Sequence, residues 1–135
     1  MKLSELVTID CINALNKLRQ SKPPARLAFR FLRIWDWGEP VLKRYDEQRL
    51  ALLQRHARGE DEPGTFHFRD ETGAVDQAAV QAFLQEHAAL LEETLDEPAI
   101  TFTPAELEQF GVDMTVAEWD AIRWMVHDAG TSPDA

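Results

Sequence analysis

Residues Ser4–Trp37, SELVTIDCINALNKLRQSKPPARLAFRFLRIWDW, decide the fold class. Leu3, Val7, Cys11, Ala14, Leu15 and Leu18 recur at steps of three and four, which gives a helix one apolar side. Ser4 suits the cap at its start, although the β-branched run Val7-Thr8-Ile9 would also suit a strand there. Pro23 and Pro24 then break the chain: the residue before a proline is driven out of the helical region, while proline is tolerated in a first helical turn. A second helix is predicted from about Pro24 toward Trp37, burying Leu27, Ala28, Phe31, Leu32 and Trp35. Arg26, Arg30 and Arg33 fall on another of its faces, with Lys22 just ahead.

Downstream, Gly38-Glu39-Pro40 should kink or interrupt that helix. A further helix is expected from about Val41 to Arg58, with a weaker stripe of Val41, Leu42, Tyr45, Leu52, Leu53 and His56. Residues 59–64 (GEDEPG) read as an acidic loop, Thr65–Phe68 as a short strand and Asp70–Gly73 as a turn. Asp76 can cap a helix over about Gln77–Glu92, whose inner stripe would be Val80, Phe83, Leu84, His87, Ala88 and Leu91. Residues 94–103 read as extended and able to pair with Thr65–Phe68, with Pro98 confining them to an edge or bulge. Thr103-Pro104-Ala105-Glu106 and Thr115-Val116-Ala117-Glu118 are two capping boxes. They predict a short helix ending near Gly111 and a last helix toward Gly130, with Val116, Trp119, Ile122 and Val126 on one side. The expected architecture is mainly α with a small β-hairpin (α+β), about five helices in one domain over 1–130, and a flexible tail over 131–135.

Charge narrows the function classes. The chain of 135 residues carries a formal net charge of −10. Residues 1–58 hold twelve of the fourteen Lys and Arg against six acids, and residues 59–135 hold two against eighteen. A uniformly basic nucleic-acid binder is excluded, and no apolar run approaches the ~18 residues of a membrane span. Glu5 and Asp10 interrupt any signal-like stretch at the N-terminus. The single cysteine, Cys11, can form no internal disulfide, which suits a reducing compartment.

Residues for catalysis were sought by type and spacing. His56, His67, His87 and His127 form no metal-binding motif. His87 reads as a core or boundary residue, and His67, alternating with Phe66 and Phe68, as solvent-facing. Ser4, Ser21 and Ser132 sit at a cap, a turn and a tail, without the Gly-x-Ser-x-Gly setting of a nucleophile. Cys11 lies on an apolar stripe and reads as a buried, inert thiol. There is no glycine-rich phosphate loop, so no cofactor and no metal are expected. The acidic pairs are too abundant in this chain to single out a catalytic one. A non-enzymatic protein is predicted.

Three sets of residues remain as candidates for recognition. Glu60, Asp61, Glu62, Glu92, Glu93, Asp96 and Glu97 could present a phosphate-like field to a basic partner. Lys22, Arg26, Arg30 and Arg33, flanked by Phe29, Trp35 and Trp37 for stacking, could contact phosphate, or could be a solvated helix face or pair with the acidic C-terminal half; direct nucleic-acid binding is disfavoured by the acidic excess. Trp35, Trp37 and Trp124 are candidates for an exposed interface. Trp119 and Trp124, five apart on a helix, point away from each other, which suggests one in the core and one outside.

The order of features is similar to that of a group of short phage and prophage proteins of unassigned function. The resemblance rests on MKLSELVTIDCINALNKL (1–18), on Lys22-Pro23-Pro24-Ala25-Arg26-Leu27-Ala28-Phe29, and on YDEQRLALL (45–53). It continues in the Phe83…Leu90-Leu91 spacing and in Pro98-Ala99-Ile100. These motifs are apolar and structural, so they transfer no catalytic residue. The insert Trp35–Pro40 departs from the group, where the helix runs on unbroken, and it leaves the length of the second helix open. The resemblance implies a virion, tail or assembly accessory that docks on phage structural proteins, often in symmetric copies as a homo-oligomer. The alternative is an acidic inhibitor of a host defence (CRISPR-type) nucleic-acid-binding complex. Either would work in the cytoplasm of a bacterial host or in the virion.

Overall fold

Thr8, rather than Ser4, starts the main N-terminal helix in this computed structural model, which describes residues 1–127. The Thr8 hydroxyl accepts from the Cys11 amide at 3.2 Å and opens α2 (Ile9–Gln20). Ser4 instead lies inside a separate single turn, α1 (Leu3–Leu6), started by Glu5 accepting from the Lys2 amide at 2.8 Å. The β-branched run that made the sequence ambiguous is where the two helices part. Cys11, Ala14, Leu15 and Leu18 of α2 are buried, as their spacing predicts.

The second correction is at proline. A single helix, α3, runs from Ala25 to His56 straight through Pro40. Pro40 lacks the amide that would reach the carbonyl of residue 36, a loss of ~3 kcal/mol in a helix interior. Side chains span the turn before it: the Trp35 indole N–H donates to Glu39 at 2.6 Å, one helical turn away. The expected interruption therefore does not occur.

The third correction concerns pairing. Gly59–Glu62, expected as a loop, forms strand β1 and pairs antiparallel with β2 (Thr65–His67). The register matches Gly59 with His67 and Glu60 with Phe66, and a bulge lies between Glu60 and Glu62. A two-residue turn closes this pairing with little loop entropy, whereas pairing β2 with 94–103 would close a much longer loop. Gly59 is required by a close approach: a Cβ there would stand 2.5 Å from the His67 imidazole. His67 is half-buried rather than solvent-facing.

Residues 77–91 form α4, capped by Asp76 accepting from the Ala79 amide at 3.1 Å. The two capping boxes start α5 (Pro104–Glu108) and α6 (Val116–Ala121). Gly111, at φ +63°, turns the chain after α5. Regular helix ends at Ala121 and continues as a 3-10 turn over Arg123–Met125, so the last helix is shorter than expected. The tail predicted for 131–135 lies outside the described residues. The class is as predicted, mainly helical with one two-stranded hairpin among the described residues.

The chain comprises two compact units. Unit 1 joins Met1–Pro40 to the chain from Thr94 onward. Its core packs Leu3, Leu6 and the α2 stripe with Leu27, Phe31 and Ile34 of α3 and with Phe102, Phe110, Ile122 and Met125. The extended segment after Thr94 is stitched at both ends: Leu95 donates to the Met1 carbonyl at 2.8 Å, and Phe102 exchanges hydrogen bonds with Met125 and His127.

Unit 2, Val41–Glu93, is built differently. Among the described residues, all fifteen hydrophobic side chains in the buried core belong to unit 1, and none to unit 2. Unit 2 is held by a half-buried aromatic seam. Phe68 meets Phe83 at 5.8 Å, Phe83 stacks on His87 at 5.5 Å, and the Tyr45 hydroxyl is 2.8 Å from His87 Nε2. Ion pairs flank the seam: Arg44–Glu93 at 3.1 Å, Arg55–Glu86 at 3.2 Å and Arg58–Asp76 at 3.4 Å. Two members of the predicted inner stripe of α4, Leu84 and Ala88, are exposed.

Candidate protein-docking groove

The residues singled out from sequence are first placed. The basic row does not form one open stripe. Arg30 pairs with Glu106 at 2.5 Å, donates to the Thr101 carbonyl and lies 4.6 Å over the Phe102 ring. Arg26 reaches the same Glu106 at 3.5 Å, while Lys22 and Arg33 are exposed. The acidic set is likewise dispersed. Glu60, Asp61 and Glu62 belong to the hairpin, Glu92 and Glu93 to the end of α4, and Asp96 and Glu97 to unit 1. Asp61 pairs with Arg69 at 3.2 Å, Glu93 with Arg44, and Glu97 with the N-terminal ammonium at 3.0 Å.

The tryptophans, half-buried, are likewise engaged with neighbours. Trp37 and Trp124 pack edge to face at 5.8 Å, and the Trp124 indole N–H is buried with no hydrogen-bond partner in range. It approaches the Cys11 thiol, whose pKa is pushed up to about 11 by burial, with that approach tempering the rise. Trp35 lies under the Arg19 guanidinium at 4.7 Å. Trp119 and Trp124 are both half-buried, so neither is wholly inside or outside.

The structure adds a site that the sequence reading did not single out. A capping box starts each of the helices α5 and α6. In each, the threonine hydroxyl accepts from the glutamate amide at 3.1 Å, and the glutamate carboxylate accepts from the threonine amide at 2.9 Å. Each glutamate also takes a cation from another helix. Glu106 takes Arg30 of α3, and Glu118, only 4% exposed, takes Lys17 of α2 at 2.8 Å. Lys17 thereby holds the Glu118 carboxyl below the ordinary range, and the Thr103 amide, with Arg30, does the same for Glu106.

Between α5 and α6 this leaves an open groove of about 760 Å³. Its apolar wall is Pro104, Leu107, Val116, Ala117, Trp119 and Val126, and its charged rim is Glu108, Asp120 and Arg123. Arg123 pairs with Asp120 at 2.7 Å, which leaves one negative charge in excess on the rim. Val116 is 85% exposed, the most open large hydrophobic residue among those described. It stands at the first position after the Thr115 cap, where a side chain points away from the following turn. The cap is legible from sequence, which places Val116 and Ile122 on one side of the helix; of the two, Ile122 is buried and Val116 is exposed.

A second, polar cleft of about 590 Å³ in unit 2 is lined by Arg55, His56, Arg58, His67, Arg69 and carboxylates. Its basic side chains are engaged: the His56 ring is 2.7 Å from Glu86, and the three arginines pair with Glu86, Asp76 and Asp61. Among the described residues, no group of three or more His, Cys, Asp or Glu could hold a metal ion, and no helix is long and apolar enough to cross a membrane. The chain matches no known protein family, and no curated protein or solved structure is significantly similar to it.

Proposed function

We propose that this protein is a non-enzymatic binding module that takes an apolar segment of another protein, flanked by basic residues, into the groove between α5 and α6. The observation that carries this reading is Val116, 85% exposed at the lip of an apolar groove in an otherwise highly charged chain. Exposed apolar patches with polar rims are the usual mark of a binding surface. Trp119 supplies the kind of half-buried aromatic anchor that dominates interface energetics. A helix or strand laid along the groove would cover both of its walls. The acidic excess of the rim and the net charge of −10 favour a basic flank on the partner.

An assembly accessory is the role this reading serves best, the partner being a structural protein such as those of a phage particle. The alternative, an acidic mimic of nucleic acid, is less favoured, because Asp61, Glu93 and Glu97 are already paired with cations. A photo-crosslinking residue placed at Val116, with one at exposed Gln48 as control, separates the two in extracts of the producing cells. Docking predicts discrete protein adducts at 116 that still form when the irradiation is done in ~0.5 M salt, where surface charge attraction is screened. No adduct above the Gln48 control overturns the proposal. Adducts formed from Glu92 or Asp96 at low salt, and no longer formed when the irradiation is done in ~0.5 M salt, would transfer support to the mimic.

A further inference from the structure

Eight of the fifteen residues of α4 are exposed, and seven of those eight carry no charge. The outward arc consists only of alanine, glutamine and Leu84, which is 48% exposed at the helix midpoint. The one exposed charge, Glu86, lies at the edge of the arc and is engaged by His56 and Arg55. The inward arc of Val80, Phe83, His87, Leu90 and Leu91 is only half-buried. The outer face of a surface helix commonly carries charged residues opposite its apolar stripe. In a chain with 28% charged residues, this helix is the exception.

We infer that two copies of the chain pair through α4, antiparallel about a two-fold axis that passes near Leu84. The argument is one of self-complementarity. An isologous contact sets each surface against itself, so an interface that carries like charges repels its own copy. Two chains of net charge −10 can approach most easily across a face that has none. Glutamine suits such a contact, since its side-chain amide both donates and accepts and can pair with an identical partner. Gln81 and Gln85 flank Leu84 at three residues before and one after, so the antiparallel arrangement brings the amides of the two copies into reach. Ala78 and Ala88 let the helix backbones approach closely. Fifteen residues make a helix ~22 Å long, so the contact falls at the small end of stable interfaces and gives a concentration-dependent dimer. This contact is separate from the groove in unit 1 and does not depend on it.

Sedimentation of the full chain from about 5 to about 500 μM tests the inference. The mass should rise from 15.4 kDa toward twice that value. The double variant Gln81→Glu, Gln85→Glu should stay monomeric over the same range, with helical circular dichroism unchanged because both positions are exposed. Leu84→Cys provides an independent arm that does not require the charged variant to fold. Cys11 is buried, so an interchain disulfide would report the introduced thiol. It should form at least tenfold faster than in a Gln48→Cys control. A wild-type chain that remains monomeric throughout overturns the inference, as does a dimer that the double variant leaves intact, or equal disulfide rates at the two positions.

Discussion

Glu118 holds two jobs in one carboxylate: it closes the cap of α6 and receives Lys17 from α2. Its partner in the cap is easier to remove cleanly. Thr115→Ala deletes the hydroxyl that accepts from the Glu118 amide and should lower stability by ~1 kcal/mol. In a domain of this size that is a fall of ~3–5 °C in melting temperature, readable by calorimetry. No change would mean that α6 is held by Lys17 alone. Cys11 gives a second residue-level expectation. A thiol with its pKa pushed up to about 11 and no exposed surface offers almost no thiolate at neutral pH. Its reaction with an aromatic disulfide reagent should be at least a hundredfold slower than that of a free thiol, and should become fast only in denaturant. Rapid labelling of the folded protein would contradict the packing of α2. Both residues were legible from sequence, the thiol from its place on the apolar stripe and the cap from its threonine–glutamate spacing. Val116 was not, because periodicity says which side of a helix is apolar and not whether that side finds a neighbour.

Elements differ in how much of them a sequence can disclose. Caps and amphipathic stripes are local, so α4 and α5 could be placed within a few residues, while α2 starts later and α6 ends earlier than the pattern predicts. Pairing partners are not local. Strand β2 was expected to pair with the extended segment after Thr94, and a nearer acidic stretch took the place instead. The short turn won because loop closure favours it, a comparison that residue preferences alone do not make. The continuity of α3 was hidden for another reason: local preference at Pro40 opposes a helix, and the Trp35–Glu39 bond one turn earlier offsets part of that opposition. Pro40→Ala should therefore raise stability by ~2 kcal/mol, since it restores one backbone hydrogen bond and relieves the ring clash. Thermal unfolding of the variant checks this, and an unchanged or lower midpoint would mean that the proline is accommodated at no cost.

At the scale of the whole chain, the charge split read along the sequence does not survive folding. Eight Lys and Arg meet thirteen Asp and Glu in unit 1, and six meet eleven in unit 2, so each unit is net −5. What distinguishes the units is burial. A body without a closed core opens locally at low free energy. Amide exchange in α4 should therefore run at least tenfold faster than in α2 at neutral pH, and equal protection would refute the division. Acid should widen the gap. The His87 ring is held below its ordinary 6.5 by burial, with repulsion from Arg49 added, while its other polar neighbour is the Tyr45 hydroxyl. As pH falls through ~6.5 the unfolded chain takes up a proton that the folded unit resists, so unit 2 loses stability from about pH 7 downward. Glu106 and Glu118 lie below their ordinary 4.5, so what they contribute to unit 1 is present above that value and is lost only in stronger acid. Exchange followed from about pH 7 to 5 should show α4 weakening while α2 stays protected, and His87→Phe should flatten the response.

The paired indoles of Trp37 and Trp124 have an optical consequence. Two such chromophores at edge-to-face contact couple their transitions, which yields an exciton couplet in the far-ultraviolet dichroism that either replacement by phenylalanine would erase. Because one ring sits on the long helix and the other on the closing 3-10 turn, that couplet is a built-in, label-free gauge of whether the ends of unit 1 have come together.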